Sequence, residues 1–192
     1  MDKVELRTER LVLSAPALDD VGAIVHACQD LELQRRVPIP VPYGREHARN
    51  YVTEYSDSGW ARSSACTWAI RFDNQFTGVV GLDHIDAGQA TIGYWMSPEH
   101  RGQGVVAEAV HAVLHFAFNQ GPAGLGLDRV EWHAFSGNLA SARVAQKTGF
   151  RFEGILRLGA DGRAGREDDW VAGVLASDDR SPQPWPRLVE RD

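Results

Sequence analysis

A glycine-rich segment with one arginine joins a predicted strand to the longest predicted helix. It reads Arg101-Gly102-Gln103-Gly104, and Pro98 ends the strand before it. The first turn of a helix has backbone N–H groups without partners, and the helix dipole adds partial positive charge there. Glycines let a ligand approach the backbone closely, and arginine donates paired hydrogen bonds to phosphate oxygens. The segment is therefore predicted to bind phosphate.

The segment lacks the sequence marks of two other phosphate-binding loops. No Gly-Lys-Ser or Gly-Lys-Thr occurs, which excludes a P-loop, and the third glycine of the dinucleotide fingerprint is missing. On these residues alone, the segment is equally compatible with a flexible loop before a helix. The rest of the sequence is needed to choose between a phosphate-binding turn and a flexible loop.

A second polar pair opens a shorter predicted helix, "NLASARVAQKTGF". Asn138 and Ser141 are three residues apart, so they lie on the same face of that helix. Asparagine is a favourable N-cap, and a serine in the first turn can be purely structural. Gly149 is expected to end the helix.

Composition indicates one globular domain and argues against several classes of protein. The chain has 192 residues, of which 43% are hydrophobic and 24% charged, and its net charge is −6. The negative charge disfavours a nucleic-acid binder. No apolar run is long enough to span a membrane, and the N-terminus lacks a signal-peptide core. Cys28 and Cys66 show no metal-like spacing, so we expect reduced thiols, no metal and a cytoplasmic protein.

The order of predicted elements indicates an α/β (α+β) fold. A bent strand or strand pair is followed by two helices, three strands, a helix, a strand, a helix and two strands. The two early helices are expected from Asp19 or Asp20 to about Asp30, and from Arg45 to Ser58. The longest is expected from about Gly104 to Asn119. Residues 1–178 are expected to form a single domain, and residues 179–192 a proline-rich C-terminal tail.

Two motifs at their particular spacing resemble the GNAT acetyltransferase superfamily. They are "RGQGVVAEA" and, after one strand, "NLASARVAQKTGFRFEG". With "LRTERLVLSAPALDD" and "IGYWMSPEHRGQG", the chain is most similar to the branch of ribosomal-protein N-terminal acetyltransferases. The resemblance covers roughly residues 6–175. It implies a mixed, mostly antiparallel central sheet with helices on both faces, splayed between strands four and five. It also implies an acetyl-CoA-dependent N-acetyltransferase.

The resemblance also implies which residues bind the cofactor. Backbone amides of the glycine-rich turn would hold the diphosphate of coenzyme A, and amides near Tyr94 would polarise the thioester and pair with pantetheine. Val106 stands where the family usually has glycine or alanine. The residues expected to contact the cofactor are Trp95, Met96, Ser97, Arg101, Gly102, Gln103, Gly104, Val105, Val106, Asn138 and Ser141.

Transfer of an acyl group to an amine needs a proton acceptor for the amine and a proton donor for the leaving thiolate. The resemblance makes Ser141 the candidate acid. For the base we expect Asp83, beside His84 at a strand end; Asp161 and Glu153 are alternatives with simpler structural explanations. Tyr43, in a proline-rich loop, is the residue predicted to line the acceptor pocket.

Three functions stay open at this point. The first is acetylation of a protein N-terminal α-amine, which needs only modest deprotonation because its pKa is about 8. The second is acylation of a small amine, with acetyl-CoA or another acyl-CoA such as succinyl-CoA. The third is a non-catalytic acyl-CoA-binding module. No nucleic-acid or membrane partner is expected, and relatives in this branch suggest a possible homodimer.

Overall fold

The computed structural model describes residues 1–186 of the chain. Within them, eight strands form one sheet. The strands are β1 (Leu6–Arg7), β2 (Leu11–Ser14), β3 (Cys66–Phe72), β4 (Gln75–Asp86), β5 (Gln89–Met96), β6 (Arg129–Phe135), β7 (Arg151–Gly162) and β8 (Gly165–Leu175).

The α-helices are α1 (Val21–Ala27), α2 (Leu31–Arg36), α3 (Arg45–Asn50), α4 (Asp57–Arg62), α5 (Val105–Phe118) and α6 (Leu139–Lys147). A π-helical segment, Tyr51–Ser56, joins α3 to α4, and short 3-10 turns cover Leu18–Asp20 and Pro98–His100.

The sheet has the order β1-β2-β3-β4-β5-β6-β8-β7. All neighbouring strands are antiparallel except β5 and β6, which are parallel. A parallel pair needs a crossover connection, and α5 supplies it. The prediction of a mixed, mostly antiparallel sheet is confirmed.

The sheet opens between β5 and β6. Their pairing covers only the first four residues of each, from Gln89 with Arg129 to Ile92 with Trp132. Beyond that point β5 continues to Met96 and β6 to Phe135 without pairing to each other. When β1 and β2 are counted as one bent strand, this is the predicted split between strands four and five. The two free strand edges bound a space at the carboxyl ends of both strands.

Helices cover both faces of the sheet. On one face, α5 buries Val105, Ala109 and Val113, which repeat every four residues and are at most 1% exposed. Removing such an apolar stripe from water contributes about 25 cal/mol per Å². On the other face, α1 and α3 contribute Ile24 and Ala48 to a second buried cluster. The sheet is therefore supported by helices on both of its faces.

Two early elements differ from the sequence prediction. The first helix ends at Ala27, because Asp30 accepts a hydrogen bond from the Glu32 N–H and so begins a separate helix, α2. The second predicted helix extends to Arg62 and contains the π-helical segment, which periodicity does not reveal.

The last two strands run through a polar stretch of the chain. The segment "GADGRAGRED" has the composition of a turn, but β7 and β8 run through it and pair up to Gly162 with Gly165. The Arg166 guanidinium holds this hairpin together, because it bonds Asp161 Oδ1 at 2.5 Å and the Leu158 carbonyl at 2.6 Å. Because charged side chains pair across this hairpin, the sequence of its strands has the polar composition of a loop.

The described part of the predicted tail packs onto the domain. Trp185 is 6% exposed, donates from Nε1 to the Phe150 carbonyl at 2.8 Å, and lies 5.5 Å from the Trp132 ring. The remainder of that prediction, from residue 187, lies outside the described residues. Among residues 1–186, no helix combines the length and apolar character needed to cross a membrane.

Candidate active site

The turn between β5 and α5 has the backbone conformation that its glycines were predicted to allow. Gly102 and Gly104 have φ values of 78° and 75°, in the left-handed region. An added Cβ would meet nothing within 4 Å at Gly102, and only Arg10 Nη2, at 3.8 Å, at Gly104. Glycine is therefore required here by the backbone angle and not by crowding.

This turn presents a row of free amides. Within the described residues, no acceptor receives the N–H groups of residues 102–107, and the first helical hydrogen bond of α5 runs from the Glu108 N–H to the Gly104 carbonyl. Residues 101–104 are exposed, whereas the Val105 side chain is 1% exposed and fixes the helix start in the core. Val106 packs partly against the same core. The free amides thus lie at the exposed start of a helix that the core holds in place, where they can bind an anion.

Arg101 is held by protein groups at the edge of this turn. Its guanidinium forms an ion pair with Asp30, and its Nε and Nη2 each lie 3.3 Å from the Met96 carbonyl oxygen. Asp30 is also the N-cap of α2. The predicted contact between Arg101 and phosphate requires this guanidinium to exchange Asp30 for the ligand.

A second arginine, which no sequence motif marks, also lies at the turn. Arg10, immediately before β2, reaches the Gln103 carbonyl at 3.4 Å and pairs with Glu108 of α5 at 2.6 Å. Burial opposes the charged form of Glu108, but hydrogen bonds from Thr8 and Arg10 hold the pKa of Glu108 below its ordinary value. Arg10 therefore ties the turn to the sheet and adds a positive charge beside it.

The free edge of β5 supplies further donors. The Ser97 N–H bonds the Thr77 carbonyl of β4 at 2.9 Å. Since strand amides alternate in direction, the N–H groups of Trp95 and Gly93 also face β4, and those of Tyr94 and Met96 face the split. Ser97 is anchored further through its hydroxyl, 2.8 Å from the same carbonyl. Two free amides thus line the space where pantetheine was predicted to bind.

Ser141 is held beside the split by two aromatic residues. Asn138 caps α6 and accepts from the Ser141 N–H at 3.3 Å, as its N-cap character predicted. Tyr94 donates from its hydroxyl to the Ser141 carbonyl at 2.8 Å, and burial raises its pKa well above the ordinary value. Trp132 donates from Nε1 to Ser141 Oγ at 3.0 Å. Because indole only donates, the serine hydroxyl is left free to donate its own proton elsewhere.

Asp83 lies on the face of the sheet that α1 and α3 cover. It pairs with Thr91 of β5 and accepts a hydrogen bond from the hydroxyl of Tyr55, which the π-helical segment carries. Burial raises the pKa of Asp83, although the Tyr55 hydrogen bond and the charge of His84 oppose that rise. The result is a half-buried carboxylate near the closed end of the split.

The side chain predicted to line an acceptor pocket is buried. Tyr43 is 7% exposed, stacks at a tilt 5.5 Å from His47, and shares a hydrogen bond with Cys28. Burial raises the pKa of the Cys28 thiol to about 12. Trp95 packs against Phe76 of the same cluster, with ring centroids 5.8 Å apart. Tyr43 and Trp95 thus support the wall of the site from behind, and the pocket role of Tyr43 stays a prediction.

The alternative bases have structural partners. Asp161 is 86% exposed and pairs with Arg166 across the β7–β8 hairpin. Glu153 receives both terminal nitrogens of Arg129, at 2.8 and 2.5 Å, and this pairing lowers its pKa.

One open cavity lies apart from these groups. Its volume is about 670 Å³, and it is lined by Glu5, Leu6, Arg7, Thr8, Glu108, His111, Ala112 and His115. None of the predicted site residues belongs to it. Among the described residues, no three His, Cys, Asp or Glu side chains are placed to hold a metal ion.

Sequence comparisons agree with this geometry. Residues 10–151 match the family described as the acetyltransferase (GNAT) domain. A probable N-acetyltransferase of Bacillus subtilis, YjcK, is 37% identical over 142 residues, which are 71% of this chain and 76% of that protein. The ribosomal-protein-serine acetyltransferase of Escherichia coli is 31% identical over 98 residues, about half of each chain (50% and 52%).

A solved structure shares the fold at low sequence identity. The ribosomal L7/L12 α-N-protein acetyltransferase RimL, in complex with coenzyme A, superposes with a TM-score of 0.80 at 21% identity. The match covers 90% of this chain and 98% of the other. The family match spans more than half of the chain. The chain therefore belongs to the GNAT family of N-acetyltransferases.

Proposed function

We propose that this protein transfers an acetyl group from acetyl-CoA to the α-amine at a protein N-terminus. The observation that carries the donor assignment is the row of unbonded amides at residues 102–107, set at the N-terminus of a 14-residue helix. A diphosphate matches this row in charge and in its need for donors. Coenzyme A present in a structural neighbour supports the same cosubstrate.

The chain's own groups would act on the thioester that acetyl-CoA supplies. The Tyr94 and Met96 amides would donate to the pantetheine arm and to the thioester oxygen, which gains negative charge as the amine attacks. The amine nitrogen forms a bond to the acetyl carbon, the carbon–sulfur bond breaks, and Ser141 donates its hydroxyl proton to the sulfur. The nitrogen loses a proton to water, and water returns one to Ser141. Trp132 supports this role because its indole occupies the serine oxygen as an acceptor.

The acceptor assignment comes from relatives and from charge. The Escherichia coli relative is a ribosomal-protein-serine acetyltransferase, and the solved neighbour acts on the α-amine of ribosomal L7/L12. Asp83 and its surroundings give the acceptor side a carboxylate that attracts an ammonium group, and we propose it as part of the acceptor site. A homodimer stays a prediction, tested by light scattering for twice the 21.2 kDa chain mass.

The test combines binding with turnover. Calorimetry should detect acetyl-CoA binding, and thiol release should follow when peptides that begin with serine or alanine are added. Small amines such as polyamines and amino sugars serve as the competing acceptors, and succinyl-CoA as the competing donor. Binding with no thiol release for any acceptor contradicts the enzyme assignment, and faster turnover of a small amine contradicts the acceptor.

Ser141→Ala isolates the proposed acid. We expect it to reduce turnover at least tenfold while the dissociation constant for coenzyme A stays within twofold, because the serine backbone and the Asn138 cap are retained. Unchanged turnover removes Ser141 as the acid. His115→Asn, on an exposed part of α5, is the matched control that should leave both quantities unchanged.

A further inference from the structure

Two adjacent residues of β6 serve opposite faces of the sheet at the point where it splits. Trp132 is the last residue of β6 that pairs with β5, and it reaches Ser141 on the α6 side. Since strand side chains alternate, His133 points to the opposite face, which is the face of Asp83. Within the split, the proposed acid therefore has a histidine directly across the sheet from it.

His133 is oriented by a buried carboxylate. Its Nδ1 lies 2.7 Å from Oδ2 of Asp169 on β8, whose side chain is only 9% exposed, whereas the imidazole is 35% exposed. A carboxylate accepts and does not donate, so Nδ1 carries the hydrogen in this pair. In the neutral ring Nε2 is then an acceptor, and it is the nitrogen farther from the buried partner.

The charged groups around His133 leave Nε2 able to pass on a proton. Glu131, on the same strand and face, has its Oε2 3.5 Å from Nε2, and Arg129 binds its Oε1 at 3.0 Å. From β7, Glu153 faces the ring but is held in the Arg129 ion pair. Asp169 faces it from β8. One carboxylate oxygen of Glu131 therefore remains next to Nε2 on the exposed side.

A gap in the side-chain layer adjoins this histidine. Asp83, Thr91 and Glu131 oppose one another across β4, β5 and β6 and so form a row on one face. The next position on β5 on that face is Gly93, where an added Cβ would meet nothing within 4 Å. On β6 the next position is His133, already beyond the pairing. The strand register thus places His133 at the β6 position next to the open space at Gly93, at the apex of the split.

We propose that His133, held by Asp169, takes the proton from the acceptor amine in the space above Gly93. This rests on the proposed function. The acceptor's ammonium group first passes a proton to Nε2, and the neutral amine then forms its bond to the acetyl carbon. The carbon–sulfur bond breaks, Ser141 gives its hydroxyl proton to the departing sulfur, and the second proton of the acylated nitrogen returns to Ser141 through water. The imidazolium releases its proton past Glu131 to water, so atoms and charge balance over the cycle.

His133 fits this role better than Asp83. Asp83 pairs with Thr91, where β5 is still bonded to both neighbours, and its carboxylate is occupied by the Tyr55 hydroxyl. His133 stands one position beyond the last β5–β6 pair, and within residues 1–186 the closest ion-pair partner of its Nε2 is Glu131 at 3.5 Å. In this assignment Asp83 attracts the ammonium group, and His133 removes its proton.

The test separates proton removal from all other effects. His133→Asn retains a donor for Asp169 but cannot accept a proton. With acetyl-CoA, one acceptor is a peptide with an N-terminal serine, and the other carries an aminooxy group in place of the α-amine. The aminooxy nitrogen is already uncharged at neutral pH. We expect kcat/KM to fall about 100-fold for the amine and less than tenfold for the aminooxy peptide.

Each outcome decides between the roles. The assignment is overturned if His133→Asn lowers kcat/KM equally for both acceptors. It is also overturned if the loss selective for the amine appears in Asp83→Asn and not in His133→Asn. The proposed function itself is refuted if the wild-type protein acetylates neither peptide. If the wild-type protein does acetylate the peptides, the proposed function stays intact whatever His133→Asn shows. Should His133→Asn fail to fold, nitrogen-15 spectra of the wild-type histidines decide: Nδ1–H in the neutral ring is expected, and Nε2–H contradicts the proposal.

Discussion

The substitution Gly104→Ala tests the geometry of the turn quantitatively. Gly104 has a φ of 75°, and its added Cβ would have one neighbour, Arg10 Nη2 at 3.8 Å, so the cost is conformational and not steric. A residue other than glycine in the left-handed region costs about 1–2 kcal/mol. That amount corresponds to a factor of roughly 5–30 in an equilibrium constant.

The conformational cost of Gly104→Ala must lower the free energy of unfolding, weaken coenzyme A binding, or do some of each. If the turn keeps its shape without ligand, the free energy of unfolding falls by about 1–2 kcal/mol and the dissociation constant for coenzyme A is unchanged. If the free turn relaxes, stability is retained and binding weakens by the corresponding factor. Urea unfolding followed by tryptophan fluorescence measures the first, and calorimetry measures the second. We expect the two losses to sum to about 1–2 kcal/mol.

A matched glycine provides the control. Gly22 lies in α1 with open space around its added Cβ and no left-handed angle, so Gly22→Ala should raise stability by about 1 kcal/mol and leave coenzyme A binding unchanged. The reasoning is refuted if Gly104→Ala changes neither unfolding nor binding.

Two other substitutions test single contacts. Asp30→Asn keeps the cap of α2 but frees Arg101, so calorimetry should show tighter coenzyme A binding. Arg101→Ala should weaken that binding about tenfold. Equal weakening by both substitutions would mean that Arg101 only anchors the turn. Trp132→Phe removes the indole N–H from Ser141 and should lower turnover about fivefold to tenfold in a thiol-release assay. In a Ser141→Ala background the same change should have no further effect, and a full additional loss would show that the indole acts independently of Ser141.

Local patterns predicted the backbone features of the turn before α5 and of the start of α6 well. The two glycines of the turn have the left-handed angles that their residue type allows, and Asn138 is the helix cap that its position indicated. Both features depend on residues close together in the sequence. The amphipathic repeat of α5 likewise predicted its bounds within a residue or two.

The proposed acceptor side depends on contacts between distant residues, which no local pattern encodes. Asp169 lies 36 residues from His133, and Arg10 lies 93 residues from Gln103. Tyr55 reaches Asp83 from a π-helical turn that has no distinct hydrophobic period. The signal that was available is the pattern of β6, "RVEWHAF", in which a histidine and a glutamate alternate with buried residues on the face opposite Trp132.

Nuclear magnetic resonance of the nitrogen-15-labelled protein, titrated with coenzyme A, tests the central claim most directly. The claim is that free amides at the start of α5 hold the diphosphate. The account predicts that the largest shifts fall on the amides of residues 102–107, with the amides of Tyr94 and Met96 following. Saturable binding that leaves residues 102–107 unshifted, or no binding at all, would contradict it.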